Sequence, residues 1–157
     1  MSTDTDRMLR IERIISAPVE EVFQAFVVPE NLVGWWGPEG VTIPDYAIDV
    51  RPGGKWRTVM LLPDGNRPEV SGVYRSIEKN KRLVFTWAWK QDNGALGHET
   101  EVTVTFEPAG ENTKLTLVQS LFAEPGHRDR HAQGWESTLN SLEQYMAKAG
   151  KSLKAAR

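Results

Sequence analysis

The chain has 157 residues, a formal net charge of −2, 39% apolar and 25% charged residues, and no cysteine. This is enough for one domain with a sizeable core. The near-neutral charge excludes a general platform for nucleic acid or an anionic membrane, and the missing thiols exclude disulfides, thiolate metal sites and a cysteine nucleophile.

The opening MSTDTDRMLR is polar, with no apolar signal segment behind it, and no apolar run approaches membrane-spanning length. A cytoplasmic location is expected, with residues 1–7 as a flexible lead. MLRIERIIS predicts a strand over 8–15, with Leu9, Ile11 and Arg13 sharing a face. Ser16-Ala17-Pro18 followed by Glu20 and Glu21 signals a helix start, and Val19, Val22, Phe23 and Phe26 recur at helical spacing. Pro29 ends that helix and opens a second short one, predicted over Glu30 to Trp35. YAIDV and KWRTVMLL read as strands around Gly53-Gly54. EVSGVYRSIE, RLVFTWAWK, HETEVTVTFEP and TKLTLVQSLF follow, separated by short turns rich in Gly, Pro, Asn and Asp. Such short connections predict an antiparallel meander. A long helix is expected over 127–149, where Trp135, Leu139, Leu142, Met146 and Ala149 form one stripe. The basic stretch 150–157 reads as a flexible tail.

These parts predict an α+β fold: a curved antiparallel sheet of about seven strands gripping the long helix, with two short helices between the first two strands. One domain spans 8–149. A pocket is expected between sheet, long helix and short helices.

The segments ISAPVEEVFQAF, WWGPEG, DVRPGGKW, RLVFTW, EVTVTFEP and HAQGWESTLNSLEQY, with a PDG turn between the third and fourth, stand in a telling order. With them the chain resembles the START-like, or helix-grip, superfamily (SRPBCC). Within it the chain is similar to the branch homologous to the activator of the heat-shock-protein ATPase, over about residues 8–148. The resemblance implies a domain that holds lipids, hormones or polyketide-like molecules, in some members with cyclase or hydrolase activity. It also implies a chaperone as one partner class.

Parity and stripe position nominate Trp35, Trp36, Trp56, Met60, Phe85, Trp87, Trp89, Val102, Val104, Gln119, His131, Trp135, Leu139 and Leu142 as cavity residues for a small apolar or aromatic molecule. Trp87 and Trp89 serve equally as core or cavity wall. Gln119 is either a polar anchor in the pocket or a satisfied buried amide. Of the adjacent pair, one tryptophan is expected to cap the cavity near Gly134 and Trp135, the other to pack at the sheet's end or at an interface. Gly134, inside the long helix, suggests close approach or room left for a ligand. His98 and Glu99 join Gln119 and His131 as polar candidates should the cavity work as a cyclase or hydrolase. His127 and His131 share a helical face, yet no third ligand follows, so no metal is expected. No motif calls for a cofactor. Arg51, Lys55 and Arg57 are expected on a solvated rim. An exposed apolar patch or free strand edge would favour a homodimer.

Overall fold

The structure, a computed structural model, describes residues 8–120 and 125–149, leaving out the side chains of 125–129 and 149. The side chains of His127 and Ala149, together with Leu121, the lead and the tail, therefore lie outside the described residues. Period-two alternation builds seven strands: β1 (Leu9–Ile15), β2 (Thr42–Ile48), β3 (Lys55–Leu61), β4 (Glu69–Glu78), β5 (Arg82–Trp89), β6 (Thr100–Ala109) and β7 (Asn112–Ser120). Three helices complete the fold: α1 (Val19–Val27), α2 (Pro29–Leu32) and α3 (Pro125–Ala149).

All strands join one antiparallel sheet in the order β1-β7-β6-β5-β4-β3-β2. The meander runs from β2 to β7, and β1 returns to pair with β7. Register breaks in the β2–β3 and β4–β5 pairs add local bend and twist. β2 starts earlier than its sequence suggests, at Thr42, although Pro44 has no donor. An edge strand with an irregularity tolerates that loss.

The inner face of the sheet is the core. Leu83 and Phe85 on β5, Val102, Val104 and Phe106 on β6, and Leu115 and Leu117 on β7 are buried there. The α3 stripe of Trp135, Leu139, Leu142 and Met146 closes over them. Phe23 and Phe26 of α1 meet Phe106 edge-to-face at 5.4 and 5.2 Å. Arg13 shares the inner row of β1 but does not enter the core. It bonds the Glu143 and Glu136 carboxylates at 2.5 and 2.7 Å, the Asn140 amide oxygen at 2.9 Å and the Glu136 carbonyl at 3.1 Å. One guanidinium thereby ties β1 to two turns of α3. Among the described residues the large exposed apolar side chains are Met8 just before β1, Ile14 on β1, Tyr46 on β2 and Leu96 in the β5–β6 loop, scattered over separate elements.

Candidate functional site

β5 places Trp87 and Trp89 inward, and β3 places Trp56 inward two strands away. Between them on β4, Gly72 stands opposite Trp56. A Cβ there would lie 1.8 Å from the Thr86 carbonyl oxygen and 2.7 Å from Trp56 Nε1. The glycine is what lets the Trp56 N–H donate to that same carbonyl, at 3.2 Å. The indoles of Trp56 and Trp87 then lie 5.7 Å apart.

α2 ends at Leu32, three residues short of the predicted boundary, so Trp35 and Trp36 belong to the turn that follows. Both are buried. Trp35 is a core residue: it packs on Phe26 at 4.8 Å, and its N–H donates to the Ala25 carbonyl at 3.0 Å. The expected place at the sheet's end or an interface is therefore corrected. The short connection folds Trp35 back onto α1. Trp36 enters from the other side, touches the indoles of Trp35, Trp56, Trp87 and Trp135, and donates to Thr58 Oγ1 at 3.1 Å.

Beneath Trp36 is a cavity of about 310 Å³. Its walls are Trp36, Gly37 and Pro38 from the turn, Met60 and Leu62 from β3 and its end, Pro68, Trp87 and Trp89, and Arg130, His131, Gly134, Trp135 and Thr138 of α3. Of the nominated residues it thus gathers Trp36, Met60, Trp87, Trp89, His131 and Trp135. Gly134 answers its own question: an added Cβ would meet nothing within 4 Å, so the glycine leaves room. Trp56 and Phe85 instead border a small recess of about 10 Å³ beside Tyr74 and Leu83. Val102, Val104, Leu139 and Leu142 are fully buried in the hydrophobic core and line neither space.

Gln119 does not border the cavity; it holds the cavity wall in place. It is fully buried. Its Oε1 accepts from Trp135 Nε1 at 2.8 Å and meets His131 Nδ1 at 3.0 Å, while its amide nitrogen donates to Thr100 Oγ1 at 2.7 Å. Thr100 passes the chain on to the Trp87 carbonyl at 3.3 Å. The Trp89 indole can only donate, and it approaches His131 Nε2 at 3.3 Å. That nitrogen must accept, so Nδ1 carries the proton and donates to Gln119. Trp87 Nε1 is buried with no acceptor among the described residues.

His98 and Glu99 lie elsewhere. Both are exposed, just before β6 begins at Thr100, and Glu99 faces Arg75 at 3.8 Å. Neither is among the residues that line the cavity. Arg51 pairs with Asp49, and Arg57 with Asp45 and Glu69. No cluster of three or more His, Cys, Asp or Glu suited to a metal occurs among the described residues.

One partner of the site had no signal in the hydrophobic pattern. Glu39, beside Pro38, hooks the turn onto α3. Its backbone N–H donates to Ser137 Oγ at 2.8 Å, and its carboxylate accepts from Asn140 at 3.1 Å and Gln144 at 3.2 Å. The bonds from Asn140 and Gln144 hold the Glu39 carboxyl below its ordinary pKa. A depressed folded-state pKa means the contribution is present above the unfolded value and is lost as pH falls through the folded one. Protection of the 37–41 amides against exchange, corrected for the intrinsic pH dependence of exchange, is therefore expected to fall once the pH drops below the ordinary glutamate range. Glu39→Ala should show low protection there at all pH values, and a protection profile like that of wild type in the variant would contradict the assignment.

The comparisons with known proteins agree with this architecture. The model of the family described as "Activator of Hsp90 ATPase homolog 1-like protein" matches residues 16–147. The chain belongs to that family. The AHSA1 protein of Silicibacter pomeroyi is similar at 32% identity, with a TM-score of 0.84 over 89% of this chain and 97% of that one. A protein of Nitrosomonas europaea is similar at 28% identity, with a TM-score of 0.77 over 92% and 97% of the two chains. An uncharacterized protein of Schizosaccharomyces pombe is 30% identical over 102 residues, 65% of this chain. The match takes in only 26% of that longer protein. The resemblance and the helix-grip fold expected from the sequence both hold. No helix among the described residues is long and apolar enough to cross a membrane.

Proposed function

We propose that this member of the family is a binding module that takes a small apolar, ring-containing molecule into the cavity under Trp36. The observation that carries this is the cavity itself, about 310 Å³ beside Gly134. Glycine in a helix interior costs about 1 kcal/mol relative to alanine, so the space is kept against helix stability. Indole walls suit a flat guest, and the volume sits at the low end of the roughly 300–1,000 Å³ range of ligand pockets. That favours one or two rings over a long lipid.

The lining supports binding over a cyclase or hydrolase reaction. Among the described residues no carboxylate borders the cavity. The Thr138 hydroxyl donates to the Gly134 carbonyl at 2.8 Å, and both His131 nitrogens have partners in Gln119 and Trp89. Acid–base chemistry needs a group able to give or take a proton at the guest, and the nominated His98 and Glu99 are exposed outside the lining. A chaperone-facing role rests on the family's description alone.

Gly134→Leu is the test. The variant is expected to fold and to lose uptake of small aromatic molecules that wild type retains in native mass spectrometry. Gly134→Ala should melt higher, by the equivalent of up to about 1 kcal/mol. Equal uptake by wild type and Gly134→Leu would refute the reading.

A further inference from the structure

Charge around the cavity is one-sided. Among the described residues, Arg130 is the one Lys, Arg, Asp or Glu in the lining. It is exposed as well as lining, so it stands where the cavity meets solvent. Most described arginines are already matched: Arg10 to Glu12, Arg13 to Glu136 and Glu143, Arg51 to Asp49, Arg57 to Asp45 and Glu69, Arg75 to Glu99, and Arg82 to Glu78. Arg130 has no such partner among the described residues. The carboxylates beside other lining residues are committed elsewhere. Glu39, next to Pro38, binds the α3 amides, and Glu69, next to Pro68, faces Arg57.

We propose that the guest is a small aromatic carboxylic acid, its ring system among Trp36, Trp87 and Trp135 and its carboxylate on the Arg130 guanidinium. The inference rests on the cavity being a ligand site. It adds the polar end that an apolar guest must still present to water. A guanidinium fork matches a planar carboxylate through two parallel N–H···O bonds. A cationic guest would meet only like charge in this lining, and a neutral one would leave the rim cation unused. A long-chain acid would need more than the space available.

The experiment compares 2-naphthoate with 2-naphthamide, which has the same ring body without the charge. Binding is read from indole N–H signals in NMR spectra and from titration calorimetry. Wild type should bind the acid roughly five- to tenfold more tightly than the amide, and the preference should shrink as salt is raised. Arg130→Gln should erase the preference by weakening acid binding far more than amide binding, with Arg130→Lys in between. Arg51→Gln, a paired and distant arginine, should change neither. Equal affinities in wild type, or equal weakening of both probes by Arg130→Gln, would overturn the acid inference while leaving the cavity reading standing. If neither probe moves the Trp36 or Trp135 signal, both fall together.

Discussion

Gly72→Ala is expected to be strongly destabilising, by about 3 kcal/mol, the upper end of the cost of overpacking. The added methyl would sit 1.8 Å from the Thr86 carbonyl oxygen, a backbone atom, and 2.7 Å from Trp56 Nε1. Neither is the free end of a flexible chain. Relief requires β4 and β5 to separate or Trp56 to leave its bond to Thr86. Both routes disturb the wall beside Trp36 and Trp87. Thermal melting should show a drop of roughly 10 °C for a chain of this size. An alanine variant that melts within a degree or two of wild type would show that the strand pair yields cheaply, which the geometry denies.

Gln119→Leu is the second large expected effect. Leucine fits the apolar row of β7 by volume and removes three hydrogen bonds at once. Trp135 Nε1 and His131 Nδ1 would be left as donors aimed at hydrocarbon. Each such group costs about 1–3 kcal/mol, so a loss of about 3 kcal/mol is expected even after partial relaxation. The cavity wall should loosen too, because Trp135 and His131 are two of its sides. Gln119→Glu separates the two roles of the amide. Its carboxylate still accepts from Trp135 and His131, and the Thr100 hydroxyl can turn to donate to it. Chemical denaturation should rank wild type above Gln119→Glu, and that variant above Gln119→Leu. If leucine proves neutral, Gln119 is not the anchor of this wall.

The strands and the long helix were legible because alternation and the 4-3-4 stripe report which side of an element is covered. Coverage and contact with empty space look the same in such a pattern. Val104 and Trp87 both point inward, yet only Trp87 borders the cavity. Which of the two holds depends on tertiary contacts, and those that tie α3 to the rest of the fold join residues far apart in sequence, such as Arg13 with Glu143 and Glu39 with Gln144. Side-chain parity could find Gln119 but not its role, since being inward does not say whether a group faces a ligand or a neighbouring indole. The isolated glycine in EVSGVYRSIE was the readable trace of the close approach at Gly72. Gly134 was readable as an oddity, and only the packing decides that it marks space.

All six tryptophans of the chain fall in one connected set around the site. Trp36 touches Trp35, Trp56, Trp87 and Trp135, and Trp87 touches Trp89, with ring centroids between 5.3 and 5.9 Å apart along the chain of neighbours. Excitation absorbed by any one indole can pass to the others before it is emitted. The intrinsic fluorescence of this protein is thus a collective property of the cavity wall, with no distant tryptophan to dilute it. A single quenching guest should darken the whole molecule, and the coupled rings should give a strong near-ultraviolet circular dichroism that vanishes when α3 is pulled away.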